Sequence, residues 1–326
     1  MIHVMKRAVL IAVATFTATM LYSVQASAQA TRTWISGVGD DANPCSRTAP
    51  CKTFQGALPK TAGGGEINCL DPGGFGGVTI TKSISIICDN TEAGILVAAT
   101  NAIIINGSGV VVQISGLDIE GLGQTGVAGV NGIYFLNGAS LTVRNTKIRG
   151  FRNGNGITFT PSANAALVVD NVVISESGIA SDGTTGGIQV TPQAGIAVQA
   201  TLTNVKIVDN LNVGLRIDTQ AGAGTMAAVT VKNSQFSNDG SGIAVRSIAG
   251  APATLMLTDS VVSGNGTTGI FSKGAASVAC VGNSTITGNN AALTIGSGGS
   301  IFTYGDNRLD GNTADTAFTL PVIAKH

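Results

Sequence analysis

The chain has 326 residues, of which 45 are Gly, 11% are charged and 4% are aromatic. Gly therefore occurs at roughly twice its usual frequency, but without the strict three-residue period of collagen. A hydrophobic fraction of 44% is too high for a disordered chain. The formal net charge of zero provides no basic surface field, so no nucleic-acid partner is expected. The only His residues are His3 and His326, at opposite ends, which excludes most His-dependent catalytic and zinc sites.

The first 30 residues have the pattern of a secretory signal peptide. Lys6 and Arg7 precede an apolar run over residues 8–22, and two small-residue cleavage patterns follow at residues 26–30. An uncleaved membrane anchor is the alternative, but the run is short for a membrane span. We therefore predict an exported protein, extracellular, at the cell surface or periplasmic, with no membrane span after cleavage. Cleavage removes two basic residues and leaves a formal net charge of −2.

Five Cys occur in a chain predicted to enter an oxidising compartment. Cys45 and Cys51 are close enough in sequence for a disulfide to close a short loop. Cys69 and Cys88 each lie in a predicted strand and could bridge neighbouring strands. Cys280 is left over in an apolar run, and we interpret it as a buried, inert thiol because no cationic neighbour is near it in sequence.

Most of the chain is built from a repeat with a mean period of about 27 residues. From residue 112 onward the pattern is apolar-x-apolar-x-Asn/Asp-x-x-apolar, followed by a loop and then Gly-apolar-x-apolar. The clearest copy runs over residues 141–148, with its second part at residues 156–159. Asn tolerates a left-handed backbone, and stacked amides can hydrogen-bond along a ladder. The ladder position is occupied in successive copies by Gly116, Asn145, Asn171, Asn204, Asn233, Asp259, Asn283 and Asp306.

The alternating Val, Ile, Leu and Thr of each repeat predict two or three short strands. Such strands cannot bury a core alone, whereas coils stacked at about 4.8 Å join their inward residues into one column. The pattern resembles the right-handed parallel β-helix repeat of the pectin-lyase-like superfamily over roughly residues 66–312. Residues 34–74 are similar to the N-terminal segment of exported bacterial β-helix proteins of unassigned activity. The resemblance implies an all-β, single-stranded right-handed parallel β-helix. It leaves activity open, because the superfamily includes lyases, hydrolases, adhesins and catalytically silent surface proteins.

An N-terminal cap is predicted over residues 31–62, before the repeats begin. A short helix over residues 51–58 would place Phe54, Ala57 and Leu58 on one face and would end at Pro59. That face would cover the open end of the apolar column, because the terminal repeats of a solenoid must be sealed.

The rest of the predicted organisation follows from where the repeat stops. Residues 63–312 form the parallel β-helix coils, of which those up to residue 110 are irregular. The C-terminal tail, residues 313–326, has little repeat character and is expected to close the other end. The prediction is one elongated domain, expected to be a monomer.

Stacking turns sequence offsets into rows of outward side chains across neighbouring coils. Charge concentrates on the coils of residues 112–176. The row two residues after the ladder position runs from Asp118 to Thr285, and it places Asp118 one coil from Lys147. The row four residues after the ladder position places Glu120 one coil from Arg149. The row one residue before the ladder position places Arg144 one coil from Asp170.

One functional interpretation is a polysaccharide lyase, which abstracts the proton alpha to a uronate carboxylate. It needs a cation or calcium to neutralise that carboxylate and a Lys or Arg base. Lys147 and Arg149 are the catalytic candidates. Asp118 and Glu120 join them as calcium ligands or hydroxyl acceptors. No motif matches the superfamily's lyases residue by residue, so no family site is carried over. The substrate-binding candidates around them are Tyr134, Arg144, Arg152 and Asp170.

The alternative is that these charges form cross-strand ion pairs on a solvated sheet, each contributing roughly 0.2–1 kcal/mol. A glycoside hydrolase would need paired carboxylates about 5–9.5 Å apart, which Asp118 and Glu120 meet, as do many outward pairs on strands. No cofactor and no metal site are predicted. Clusters of Asp and Asn at residues 40–43 and 306–312 could supply oxygen ligands to calcium. The preference of Asp and Asn for turns already explains both clusters.

The balance of these observations favours a non-catalytic protein with a structural, adhesive or glycan-binding role at or outside the cell surface. Its predicted partner is a polysaccharide or cell-surface glycan. A polysaccharide lyase acting on a uronate-containing glycan is the alternative, and a glycoside hydrolase is the third hypothesis. The fold cannot decide between them, because function resides in sites rather than in the fold.

Overall fold

The computed structural model describes residues 29–123 and 126–325. The predicted signal peptide lies almost entirely outside these residues. The described residues form one short α-helix, α1 (Phe54–Ala57), and 28 strands. The first nine strands are β1 (Ala30–Ile35), β2 (Thr61–Cys69), β3 (Gly73–Gly74), β4 (Val78–Ile80), β5 (Ile84–Ile87), β6 (Ala93–Leu96), β7 (Ile103–Asn106), β8 (Val111–Ser115) and β9 (Leu117–Glu120). The others are β10 (Ile133–Asn137), β11 (Ser140–Arg149), β12 (Ile157–Phe159), β13 (Ala165–Ser175), β14 (Gly186–Val190), β15 (Ala197–Thr203), β16 (Lys206–Val208), β17 (Val213–Asp218), β18 (Met226–Lys232), β19 (Gln235–Ser237), β20 (Ser241–Arg246), β21 (Ala253–Thr258), β22 (Val261–Ser263), β23 (Thr268–Lys273), β24 (Ser277–Gly282), β25 (Thr285–Thr287), β26 (Ala291–Gly296), β27 (Ser300–Thr303) and β28 (Arg308–Leu309).

The strands form a parallel solenoid with three faces, as the repeat predicts. Each strand pairs in parallel with its equivalents in the coils before and after it. The first face is built from β5, β8 and their successors, and the second face from β3, β6, β9 and theirs. The long strands β11 and β13 run through both of these faces. The third face is a separate nine-stranded sheet that runs from β4 to β26.

The corner between the first and second faces carries the predicted ladder. Its residues have a left-handed backbone, with φ of 47° at Asn145 and 53° at Asn171. Asn171 Nδ2 donates to Asn145 Oδ1 at 2.8 Å. Asp306 differs, because it lacks a positive φ and instead accepts from the backbone N–H of Asn283 at 2.9 Å. The ladder therefore ends one coil earlier than the repeat predicts.

A second, buried ladder lies inside the corner between the second and third faces. Asn265 and Asn289 each accept, on Oδ1, the backbone N–H of the ladder residue in the preceding coil at 3.0 Å. Each also donates Nδ2 to a backbone carbonyl of that coil, Phe236 for Asn265 and Val262 for Asn289. A buried amide thus satisfies backbone groups that no strand pairs. The ladder consists of Ser177, Asn210, Asp239, Asn265, Asn289 and Asn312.

Asp239 is the exception in this buried ladder. Its Oδ1 accepts from the backbone N–H and from Nδ2 of Asn210, both at 2.9 Å. Its Oδ2 is buried and has no hydrogen-bond partner within residues 29–123 and 126–325. Burial raises the pKa of Asp239 to about 8; the nearby Asp209 adds to this increase, and the hydrogen bonds from Asn210 oppose it.

The N-terminal cap contains the predicted helix, but with different bounds. The helix α1 begins at Phe54 because Thr53 caps it, its hydroxyl accepting from the backbone N–H of Gly56 at 2.9 Å. Pro59 does not end the helix; it lies within a 3-10 turn (Leu58–Lys60) that follows directly, since Pro is compatible with the first turn of a helix. The three residues predicted to cover the end of the column, Phe54, Ala57 and Leu58, are buried. No helix of the described residues is long and apolar enough to cross a membrane.

The C-terminal tail packs onto the last coil. Ala314 bridges to Ala291 on the third face. The N–H of Thr319 donates to the carbonyl of Ile301 at 2.7 Å on the first face. Phe318 packs against the hydrophobic core. The tail thus covers the end of the apolar column as an irregular final coil.

The structure contains two disulfides, Cys45–Cys51 in the cap and Cys69–Cys88 between the first coils. Disulfides persist in oxidising compartments, so both are consistent with an extracellular protein. The interpretation of Cys280 as a buried thiol is wrong. Cys280 is half-buried and outward-facing on β24, because its position in the alternation points away from the core, and burial raises the pKa of its thiol.

Candidate functional site

A groove of about 1160 Å³ lies over the second face at the N-terminal coils. Its floor is one row of outward positions that the strand register joins. The row begins at Gly74 and Gly94. Because these residues have no side chain, a ligand can approach their backbone closely. The row consists of Gly74, Gly94, Asp118, Lys147 and Val173.

Arg149 lies in the neighbouring row and contacts two carboxylates of the coil below. Its Nη1 donates to Asp118 Oδ1, and its Nη2 donates to Glu120 Oε2 at 2.6 Å. Burial alone would lower the pKa of Arg149, but the two carboxylates outweigh it and raise the pKa. Asp118 and Glu120 remain 42% and 37% exposed, so their other lone pairs face the groove. Arg149 therefore holds both carboxylates in position.

Lys147 lies beside this ion-pair cluster and is exposed. The register places it between Asp118 and Val173 on the floor of the groove. Within residues 29–123 and 126–325 it makes no hydrogen bond and no ion pair. Its three N–H donors are therefore available to a ligand.

The wall of the groove toward the first face carries a further carboxylate, Asp89. Ser115 Oγ donates to both of its oxygens, at 2.7 and 2.9 Å, and Asn145 Nδ2 donates to Oδ1 at 3.0 Å. Gly116 occupies the ladder position of the coil before Asn145 and has no side chain, so the Asn145 amide donates to Asp89 instead. The corner ladder thus continues into the wall of the groove.

The groove carries more negative than positive charge. The lining carboxylates are those of Asp89, Glu92, Asp118 and Glu120, and the lining cations are Lys147 and Arg149. This gives a formal charge of −2. Such a surface repels anions and offers fixed acceptors to hydroxyl groups.

A family model described as right handed beta helix region matches residues 101–271, more than half of the chain. The chain belongs to this family. Among solved structures it is similar to pectate lyase Pel9A, with a TM-score of 0.65 and 17% identity, over 85% of this chain and 76% of that chain. At this identity the similarity confirms the fold alone.

Two further solved structures are similar at lower scores. A rhamnogalacturonan lyase has a TM-score of 0.44 and 11% identity, over 79% of this chain and 76% of that chain. GH136 lacto-N-biosidase from Eubacterium ramulus has a TM-score of 0.43 and 10% identity, over 87% of this chain and 66% of that chain. No curated protein matches the chain.

The other predicted site residues of this β-helix lie outside the lining of the groove. Tyr134 is on β10 of the third face, so the expectation that it lies near the cluster is wrong; its strand follows the second corner. Arg152 lies past that corner, and its Nη1 donates to the Ser177 carbonyl at 3.3 Å. Arg144 and Asp170 face each other in register as predicted, but no ion pair joins them; Asp170 accepts from Asn204 Nδ2 at 3.3 Å instead.

The segments considered for calcium use their carboxylates within the protein. Asp41 accepts from the backbone N–H groups of Lys52 and Thr53 at the start of α1. Asp306 pairs with Lys325 at 2.6 Å. Among the described residues there is no group of three or more His, Cys, Asp or Glu that could hold a metal ion.

Asp89, Glu92 and the two floor glycines are groove residues that the repeat does not predict. They lie on the first, irregular coils, which lack the ladder motif, so no offset from Asn145 reaches them. The only hint of the glycine floor in the sequence is the pair Gly73 and Gly74. This pair enters the prediction only as part of the N-terminal segment that resembles other β-helix proteins.

Proposed function

We propose that this β-helix binds a neutral, hydroxyl-rich glycan in the groove, as a non-catalytic module at or outside the cell surface. The observation that carries the proposal is the fixed pair of carboxylates held by Arg149 beside an open glycine floor. Preorganised acceptors bind sugar hydroxyls without first having to be ordered. The net negative charge of the groove favours a neutral glycan over an acidic one.

Each part of the groove has a role in this proposal. Asp118 and Glu120 accept hydrogen bonds from sugar hydroxyls, and Lys147 donates to ring or hydroxyl oxygens. A sugar ring lies against Gly74 and Gly94, where the backbone is accessible. Because the described lining residues include no aromatic ring, affinity rests on hydrogen bonds and is expected to be modest for each sugar unit.

An exported location supports the proposal, because free polysaccharide and cell-surface glycans lie outside the cytoplasm. Two disulfides in the N-terminal quarter of the structure are consistent with that location. The signal-peptide pattern of the first 30 residues points the same way.

The test is a comparison of binding to neutral, amino and uronate-containing polysaccharides, by affinity gel electrophoresis and titration calorimetry. Asp118→Asn and Lys147→Ala are each expected to weaken neutral-glycan binding about tenfold, the value of one charged hydrogen bond. Lys206→Ala is the matched control, because Lys206 is exposed in the same row two coils further on. Equal losses in all three variants, or none in the first two, contradict the proposal.

Exposed, unpaired Lys147 favours a second candidate, a polysaccharide lyase. In that reaction Lys147 Nζ acts as the base and takes the proton alpha to a uronate carboxylate. The released electron pair forms a carbon–carbon double bond as the bond from the beta carbon to the glycosidic oxygen breaks, and that oxygen takes up a proton from water, leaving an unsaturated sugar. Incubation with polygalacturonate, with and without calcium, tests this through the ultraviolet absorbance of the unsaturated product. Product that disappears in Lys147→Ala but persists in Lys206→Ala would establish the lyase in place of the binding module.

A further inference from the structure

A second group of charged residues, the third-face cluster, lies at the ends of three neighbouring strands. It consists of Arg216 and Asp218 on β17, Arg246 on β20 and Lys273 on β23. The register places Asp218 against Arg246, and Arg246 against Lys273. Adjacent parallel strands are about 4.8 Å apart, so these side chains form one continuous row beside Arg216.

Arg216 and Asp218 satisfy each other. Asp218 Oδ2 accepts from Arg216 Nη2 at 2.6 Å and from Nε at 3.1 Å. Asp218 Oδ1 accepts from the backbone N–H of Gln220 at 2.8 Å. Arg216 Nη1 donates to the Thr184 carbonyl at 3.2 Å. The one carboxylate of the row is therefore already used.

Arg246 is left without a hydrogen-bond partner. Its Nε is buried and unpaired, 3.9 Å from Asp218 Oδ2, which is too far for a hydrogen bond. No side-chain hydrogen bond from Arg246 occurs among residues 29–123 and 126–325. The side chain is only 27% exposed, so water satisfies part of its five donors at most. A half-buried guanidinium in this state lacks an acceptor.

Lys273 adds a second cation directly beside Arg246. It is exposed and, within the described chain, has no ion pair. Like charges opposite each other on neighbouring strands destabilise a sheet. The next position in the row is Gly296, which leaves the space beyond Lys273 open. Hydrogen bonds from Thr184 lower the pKa of the neighbouring Asp182, and the charge of Arg216 lowers it further. With Asp182 included, the formal charge of the group is +1.

We propose that Arg246 and Lys273 bind a carboxylate or sulfate group of an acidic glycan on the third face. Arg246 provides a planar pair of donors to two oxygens of the anion, and Lys273 provides a point charge. The bound anion accepts hydrogen bonds from the exposed part of the Arg246 side chain and lies between the two like charges. This site is independent of the groove and does not rest on the function proposed for it.

The experiment measures binding of the mature protein to polygalacturonate and to dextran sulfate, by titration at low and at high salt. Arg246→Gln and Lys273→Ala are expected to weaken the binding of at least one polymer tenfold or more at low salt. Lys206→Ala and Lys232→Ala are the controls, because both residues are exposed and lie outside the groove and the third-face cluster, and they are expected to bind as the native chain does. Thermal unfolding of each variant establishes that a loss of binding does not come from loss of the fold.

Inorganic sulfate and monomeric galacturonate form a second arm, which distinguishes a glycan from a free anion. Competition by these ions only at high concentration, with polymer bound much more tightly, supports the proposal. Sulfate ion binding as tightly as the polymer would replace the glycan with a free anion and overturn it. Binding that falls equally in the two control variants, or no polymer binding by the native chain, would also overturn it.

Discussion

The groove and the third-face cluster combine the same chemical groups in opposite proportions. On the second face one guanidinium, that of Arg149, contacts the carboxylates of Asp118 and Glu120. On the third face one carboxylate, that of Asp218, lies beside the guanidiniums of Arg216 and Arg246. In the groove the Arg149 guanidinium is hydrogen-bonded, and carboxylate oxygens remain available as acceptors. In the third-face cluster the Asp218 carboxylate is hydrogen-bonded, and N–H groups of the cations remain available as donors. The backbone is the same stacked β-helix coil in both regions. The outward side chains alone therefore decide which kind of ligand each face can bind.

Burial also separates the two regions. Asp118 and Arg149 are more than one-third exposed, while Asp218 and Arg216 are 6% and 14% exposed. Water screens exposed pairs, which are worth little, whereas breaking a buried pair leaves a charge that nothing solvates. Loss of a carboxylate should therefore have different consequences on the two faces.

The largest expected effect concerns Asp239, a buried carboxylate that forms no ion pair with any described residue. Since its pKa in the folded state is about 8, against about 4 in the unfolded chain, the folded state holds a proton that the unfolded chain releases. Its stabilising contribution is thus complete below about pH 4 and is lost as the pH rises through about 8. Asp239→Asn should raise the free energy of unfolding at pH 8 to 9 by on the order of 4 kcal/mol, measured by urea unfolding across pH.

The control for this prediction is the reverse change, Asn265→Asp, one coil along the same buried ladder. It should lower stability at pH 8 and introduce the pH dependence that Asp239→Asn removes. Identical pH profiles for the native chain and Asp239→Asn would show that the buried carboxylate carries no unfavourable free energy.

Asp218→Asn should have the next largest effect. It leaves the largely buried Arg216 without its counter-charge and is expected to cost about 3 kcal/mol in urea unfolding. Asp118→Asn on the second face should cost less than about 1 kcal/mol, because its partner is exposed. Equal costs for the two substitutions would remove the distinction between the regions.

Arg149→Ala should cost about 1 kcal/mol. It removes two exposed ion pairs and leaves Asp118 and Glu120 as neighbouring like charges on β9. Because salt screens that repulsion, the loss should shrink between 0.05 and 1 M sodium chloride, a range over which the Debye length falls to about 3 Å. A loss that does not change with salt would indicate that Arg149 acts through packing of its stem rather than through charge.

Arg144→Ala should have the smallest effect, within about 0.5 kcal/mol in stability and without change in glycan binding. Arg144 is exposed, faces Asp170 without an ion pair and lies outside the groove. Loss of glycan binding in this variant, with Asp118→Asn unaffected, would move the binding surface from the second face to the first.

The rows of outward residues were predictable because one residue per coil fixes the register. Once Asn145 and Asn171 are aligned, the strands on either side of the ladder, on the first and second faces, are aligned too, and a slip of one residue would expose the core. The predicted row from Asp118 to Thr285 therefore agrees with the observed pairing. The same argument fails for Asp89 and Glu92, since no ladder residue precedes them in the irregular coils.

Tyr134 shows a second limit of the repeat. The offset from the ladder position says how far along a coil a residue lies, but loops of different length separate the second and third faces. Without the angle of that corner, Tyr134 could be assigned to a coil but not to a face. The start of α1 at Phe54 is a similar case, because the Thr53 cap competes with the apolar pattern that favoured an earlier start.

The sequence by itself determined the solenoid, its ladder and the residues that share each outward row of the first two faces, because a period of about 27 residues with one Asn or Asp ladder position per coil favours a single in-register stacking. Only the tertiary structure decided which charges are satisfied. Among the described residues Arg149 hydrogen-bonds to two carboxylates and the side chain of Arg246 to none, and Asp239 rather than an Asn lies where an amide is needed. These outcomes depend on side-chain reach and burial across neighbouring coils, which a linear pattern does not encode.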